Sequence, residues 1–389
     1  MANIGSYLYH LAVGRILGPG GYGELSSLIS ILYIFSAPIV VLQTILVKYF
    51  SFSKATNSVG QAKDFYIRIT RNTVQFLIIF GIVVALLSPF VSRFLHLSNW
   101  TYIVWTYGIF VFSLLSVVPS SLLQAFQKFV LFSLLGAGVI ICKLLLSIPA
   151  AAIGVEATLQ AAVLSGFIFY ILYLYSNRFM LQSARVPYAL SKKEFISENI
   201  PTLLAIVGII SLFSTDVVLA KHFLTSYQAG IYASLSILGK IIFYASYAVV
   251  SVIFPVLSER FVTKKDSKNV IRFAFVSVVF ISLSVTSLFF AFPKIIVGLL
   301  YGSAYEGAVS YLGTFGIFMT LYSVLNVITY ICLALKDRRI WMYIFGGSLL
   351  QILGIFLFHQ NIEMIVTVNI VVTLATLVCV LLYDKRLHI

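Results

Sequence analysis

The chain has 389 residues, of which 61% are hydrophobic and only 10% charged, where a soluble domain carries about 25% charged residues. Apolar runs long enough to span a bilayer recur from end to end, which excludes an ordinary soluble domain and reads as a polytopic membrane protein. A formal net charge of +14 invites a nucleic-acid reading, but the placement of that charge argues against it.

Helices are predicted at 3–17, 24–48, 72–94, 100–123, 129–153, 157–178, 199–220, 230–257, 271–298, 307–334, 340–358 and 362–383. At 1.5 Å rise per residue, each is long enough to cross the roughly 30 Å of hydrocarbon, or close to it. The first is the shortest: it either continues upstream of Met1 or is a clipped span. No cleavage site or polar mature start follows it, so it reads as a retained spanning helix rather than a signal peptide. Cys142, Cys332 and Cys379 all lie in apolar segments without a CxxC spacing, which indicates neither a metal site nor a disulfide frame.

With the N-terminus inside, 20 of the 26 Lys and Arg fall on inner segments and 4, Arg15, Arg93, Lys221 and Lys294, on outer ones. The remaining two, Lys143 and Lys240, fall within helices. The positive-inside rule then places both termini in the cytoplasm of a plasma or inner membrane protein. The outer loops, such as 96–100, 154–156 and 359–361, are too short for a folded domain. Longer inner segments lie at 49–71, 179–198 and 258–270. The middle one is a polar cytoplasmic linker, expected to contain a short amphipathic piece at the membrane surface.

An internal repeat divides the chain at that linker. Gly14–Leu28 (GRILGPGGYGELSSL) has a diverged copy at His222–Leu238 (HFLTSYQAGIYASLSIL), which sets Gly23 on Gly230 and Leu17 on Leu224. Pro89 and Pro293 close the third and ninth helices, and FLHLS at 94–98 parallels LLYGS at 299–303. The expected fold is all-α, with about 12 transmembrane helices in two six-helix lobes, 1–178 and 199–389. Six helices per half give both halves one orientation, hence a pseudo-two-fold along the membrane normal and a site between lobes near the midplane. Gly18, Pro19, Gly20, Gly21 and Gly23 are read as a tight reversal between the first two helices.

A charge at the membrane centre costs at least about 2.5–3.5 kcal/mol on insertion scales, so each needs a reason. Arg15 and Glu24 flank the reversal. Arg15 either meets an anionic substrate or snorkels to the interface, and the two can also form a structural ion pair. Asp216 and Lys240 lie on adjacent predicted helices; they form either an ion-coupling pair or a structural bridge. Lys143 has no partner in its own helix and needs water or an anion. Lys48 meets a cytoplasmic phosphate or is one more positive-inside residue. Gln43 and Asn326 bond sugar hydroxyls or neighbouring helices. Substrate binding is thus assigned to Arg15, Lys143, Lys240 and Gln43, and ion coupling to Asp216 and Glu24. There is no GxxxxGK[ST], HExxH or GxSxG, and no cofactor is implied.

At GRILGPGGYGELSSL and the following SILYIFSAPIVVLQTILVKY the sequence resembles the lipid-linked oligosaccharide flippases. These are the polysaccharide-export branch (O-antigen and teichuronic-acid type) of the multidrug/oligosaccharidyl-lipid/polysaccharide exporter superfamily. The family's R-x-L-G-x-x-x-Y-G segment reads here as Arg15, Leu17, Gly18, Tyr22 and Gly23, and YGSAY at 301–305 resembles its loop after helix nine. The resemblance implies alternating access. An isoprenyl-pyrophosphate-linked glycan is moved to the outer leaflet, its pyrophosphate held by cations such as Arg15, Lys143 and Lys240. It also implies H+ or Na+ coupling, for which Asp216 is available, and partners among membrane lipids and glycan-assembly proteins. The rivals are a multidrug exporter of the same superfamily, a membrane glycan polymerase or ligase, and a scaffold of a glycan-assembly complex.

Overall fold

A computed structural model describes residues 2–56, 58–182, 186, 200–263, 266–335, 337 and 339–383. Thirteen α-helices and two short 3₁₀ segments occur among them, and no strand. The protein is an all-helical, multi-pass membrane protein. Beyond residue 182, and apart from Val186, the linker and its expected amphipathic piece lie outside the described residues.

The N-terminal region departs most from the sequence expectation. Helix α1 runs Ala2–Ala55, through both the first and second predicted spans. A straight helix of 54 residues would extend ~80 Å, far beyond a bilayer. It is broken at one residue, Gly18, whose φ of 67° and ψ of 175° lie outside helical space. Pro19 follows at the first position of the next helical segment, where its missing N–H costs nothing. Gly20, Gly21 and Gly23 stay helical, so the break needs one glycine rather than the whole expected turn.

The inner segment predicted at 49–71 is also mostly helical. Helix α1 continues to Ala55 and α2 (Val59–Phe94) begins four residues later. Phe50, Ala62 and Phe65 there bury their side chains with Leu46, Leu122 and Met180. That burial holds both helices beyond the apolar run that a bilayer needs. Asp64, 1% exposed, accepts from Arg68 Nε at 2.7 Å one turn on.

The next three helices follow the predicted positions: α3 (Thr101–Ala125), α4 (Phe129–Ala151) and α5 (Val155–Ser176). Predicted helix seven is a bent pair, α6 (Ile200–Ser211) and α7 (Thr215–Phe223), at 42° across residues 212–214. Then come α8 (Ser226–Val262), α9 (Lys268–Ala291), α10 (Pro293–Leu300), α11 (Leu312–Ala334), α12 (Ile340–Leu357) and α13 (Ile362–Tyr383). Ten helices among the described residues are long and apolar enough to span, and eleven if the bent pair is one span. Counting α1 as two, as the sequence reading does, brings the tally to twelve.

Two compact units result. One holds Met1–Leu17 and Phe35–Ser197; the other holds Gly18–Ile34 and Glu198–Ile389. The sequence reading assigns 1–178 to a single lobe, whereas residues 18–34 of α1 pack with the C-terminal set. In the first unit, α2 and α4 present Ile78, Ile82, Leu86, Val130, Leu134 and Leu145 on exposed surfaces, the apolar faces that lipid covers. In the second unit α11 is buried along nearly its whole length and forms the axis of packing.

Candidate functional site

The bend between α6 and α7 lies within an apolar unit, and it leaves helix-end carbonyls without intrahelical partners. Asp216 sits in the first turn of α7. Its carboxylate is 0% exposed, and an isolated buried carboxylate is costly. Three donors compensate. The Tyr232 hydroxyl donates to Oδ2 at 2.6 Å. Asn369 Nδ2 donates to the same oxygen at 3.3 Å. The Val217 amide donates to Oδ1 at 2.9 Å. Asn369 also donates to the Tyr232 hydroxyl at 2.7 Å. Gln351 Nε2 closes the network, donating to Asn369 Oδ1 at 2.9 Å and to the Leu212 carbonyl at 2.8 Å. That carbonyl belongs to the helix break. Gln351 Oε1, Thr373 Oγ1 and Ser214 Oγ, on α12, α13 and the break itself, are buried without a hydrogen-bond partner.

Lys240, in the middle of α8, is 2% exposed. Its ammonium lies 4.7 Å from the Tyr33 ring centroid and 5.0 Å from that of Phe213. Both rings offer their negative faces, worth about 2 kcal/mol when the cation is desolvated. Lys240 is near enough to Asp216 for the charges to act on each other, yet the two make no ion pair within 4.0 Å. The sequence reading places them on neighbouring helices, as an ion-coupling pair or a structural bridge. The structure brings them into one unit but spends the carboxylate on hydroxyl, amide and backbone donors and leaves the ammonium to aromatic rings.

Glu24 belongs to the same unit, and its ion partner is Lys221, with Nζ 3.9 Å from Oε1. Lys221, counted from sequence on an outer segment, is 2% exposed within α7. Tyr22, two residues earlier than Glu24 on α1, meets the hydroxyl of Tyr301 at 3.3 Å, and its ring contacts Tyr305. The YGSAY segment thus packs on the GPGGYGE segment.

The first unit holds the other candidates. Lys143 on α4 is half-buried, with its ammonium 3.9 Å from the centroid of Tyr9 on α1. The partner missing from its own helix is this ring. Arg15 is exposed, Gln43 half-buried and Lys48 exposed on α1. Asn326 lies in the second unit, buried at 3%, with Oδ1 unpaired.

Sequence reasoning missed Asn369, Gln351 and Tyr232. The signal was present: Asn369 in VTVNIVVTL and Gln351 in SLLQILGIF are lone amides in apolar helices, as Gln43 and Asn326 are. What was missing was the pairing, which depends on α12 and α13 packing beside the α6–α7 bend.

No protein-family model matches the chain, and no curated protein sequence does. Solved structures do. An inward-facing multidrug resistance MATE family transporter of the MOP superfamily superposes with a TM-score of 0.73 at 14% identity, covering 100% of this chain and 95% of that one. The lipid II flippase MurJ, inward closed, gives 0.71 at 14% identity over 98% and 86%. The MATE multidrug transporter DinF-BH gives 0.66 at 14% identity over 99% and 94%. The chain shares their fold. At these identities the likeness concerns backbone architecture, and it extends over nearly the whole chain in each case.

Proposed function

We propose that the protein is an alternating-access flippase that moves an isoprenyl-pyrophosphate-linked oligosaccharide from the cytoplasmic to the outer leaflet. The observation that carries this reading is Lys240, a buried cation held by ring faces rather than neutralised by a carboxylate within 4.0 Å. Such a group gains most from an anion arriving in low dielectric. Lys143 over Tyr9 repeats the arrangement in the first unit. Arg15 and Gln43 complete the substrate-binding set, Gln43 toward sugar hydroxyls. The flippase among the structural neighbours and the motif at Arg15–Gly23 support the same class.

Asp216 carries the coupling ion, H+ or Na+. Its carboxylate and the unpaired oxygens of Gln351, Thr373 and Ser214 are the oxygen donors that a small cation takes. Glu24 is the second acidic group of this unit, and its ion pair with Lys221 gives it a holding role beside any coupling one. The two lobes are the moving bodies, residues 18–34 of α1 travelling with the C-terminal one, and 179–198 is the cytoplasmic linker.

The second reading is a cation-coupled multidrug exporter, which the MATE neighbours favour. It needs an acid-rich pocket for cationic drugs, whereas the buried carboxylates among the described residues of this unit are Asp216 and Glu24, and Glu24 is paired with Lys221. Purified protein in proteoliposomes separates the two: a labelled lipid-linked oligosaccharide crosses and a cationic dye such as ethidium does not. The opposite pattern, with dye transport and no lipid movement, overturns the flippase reading.

A further inference from the structure

At the Lys- and Arg-rich end of the first unit, a cavity of about 560 Å³ opens between α1, the end of α3 and the start of α4. Ser51 and Lys54 line it from α1, and Gln124 and Gln127 from α3 and the turn after it; Val47 and Phe129 form the apolar part of its wall. Lys54 Nζ donates to Gln127 Oε1 at 3.0 Å and to the Phe126 carbonyl at 3.4 Å. An ammonium has three donors, so one remains. The Lys54–Gln127 contact also fixes the Gln127 amide oxygen as acceptor and leaves its NH₂ group to donate.

Part of this has a purely structural account. Lys54 meets the C-terminal carbonyls of α3, as cations at helix ends do. Two features go beyond it. The first is residue 127. Helix α3 ends with the Lys128 amide bonded to the Leu123 carbonyl at 2.9 Å, which places Gln127 at the left-handed cap position with φ 59°. Glycine is the favoured residue there. A glutamine instead keeps backbone strain and presents an amide to the cavity, and strain held at a wall residue is a pointer to binding. The second is charge. No Asp or Glu occurs between Glu24 and Asp64, or between Asp64 and Glu156, so the segments lining the cavity contain no carboxylate. Lys54 is its charged group, with Lys48 and Lys128 exposed near it in sequence.

We propose that this cavity is an anion site for a phosphate group, held by Lys54, the two glutamine amides and the Ser51 hydroxyl. The half-apolar wall suits a phosphate that carries hydrocarbon, and free pyrophosphate shares the chemistry. Its lining shares no residue with the surroundings of Lys240, and the proposal does not depend on what the protein transports.

The test is native mass spectrometry of the full chain in detergent, titrated separately with dioctanoyl phosphatidylglycerol and with inorganic pyrophosphate. Wild type binds one equivalent of at least one probe. Lys54→Gln weakens it by at least about tenfold, the scale of one charge-assisted hydrogen bond. Gln127→Gly relieves the strained cap, keeps the fold and also weakens binding, so it stands if the lysine variant fails to fold. Binding of the lipid alone identifies a headgroup site; binding of pyrophosphate alone identifies a soluble anion. Equal affinity of wild type and Gln127→Gly for both probes, or no binding of either, overturns the proposal.

Discussion

Gly23 and Gly230, equivalent positions of the internal repeat, pack against each other. A Cβ on Gly23 would lie 2.9 Å from the Gly230 backbone nitrogen, and one on Gly230 would overlap the Pro19 carbonyl. The two copies of the motif are thus complementary surfaces within one unit. Their glycines permit close helix approach, the role that small residues play in membrane helix packing. Gly230→Ala is expected to lower thermal stability strongly, since relief needs backbone movement, at a cost of about 1–3 kcal/mol or more. Gly20→Ala, with nothing within 4 Å, is expected to be neutral. Thermal unfolding followed by size-exclusion of the detergent-solubilised variants compares the two.

The Glu24–Lys221 pair ties the 18–34 segment of α1 to α7. Removing one partner leaves the other as a buried charge, which costs more than removing both. Glu24→Gln and Lys221→Met are each expected to destabilise, and the double variant less than the sum. A double-mutant cycle on melting temperature reads the coupling, expected at about 0.5 kcal/mol or more on the usual scale for residues in contact. Strict additivity would remove the ion pair from the account of how this segment is held.

Glu156, in the first turn of α5, ties that helix to the start of α3. Its Oε1 accepts from Thr101 Oγ1 at 2.9 Å and from Trp105 Nε1 at 3.0 Å, and Oε2 from Asn99 at 3.4 Å. Glu156→Ala leaves these donors without their acceptor and is expected to cost about 1–3 kcal/mol. Trp105 fluorescence should shift as the indole loses its partner. Unchanged stability and emission would show that water replaces the carboxylate at no cost.

The Asp216 network gives a functional prediction. Asp216→Asn keeps size and loses charge, and is expected to abolish any dependence of transport on a H+ or Na+ gradient while the fold survives. Tyr232→Phe removes the 2.6 Å hydrogen bond and is expected to reduce the dependence without abolishing it. Transport measured at fixed substrate with the gradient imposed or collapsed distinguishes these outcomes. A gradient response retained in Asp216→Asn would place coupling elsewhere.

How much of this was legible in the sequence follows from what each feature depends on. The helices α3, α4, α5, α12 and α13 were read within about two residues because a bilayer demands a long apolar run and tolerates little else. The helical 49–71 segment was not, because its burial comes from contacts with Leu122 and Met180, far off in the chain. Pro and Gly at 18–23 signalled a break, but only backbone geometry shows that Gly18 alone makes it. Asp216, Lys240 and Lys143 could be singled out because charge in an apolar helix is rare. Their aromatic partners, Tyr232, Tyr33, Phe213 and Tyr9, are residue types that apolar helices contain in number, and tertiary packing alone selects among them.

The central claim is that Lys240 holds the anionic group of a translocated lipid. Its most direct test is translocation of a fluorescent isoprenyl-pyrophosphate-linked oligosaccharide in proteoliposomes, with wild type, Lys240→Met and Lys240→Arg compared at matched protein density. The account predicts rapid loss of inner-leaflet signal with wild type, at least about tenfold slower movement with Lys240→Met, the worth of one buried charged contact, and partial recovery with Lys240→Arg. Movement at the wild-type rate in Lys240→Met, or none in wild type that is folded and reconstituted, would contradict it.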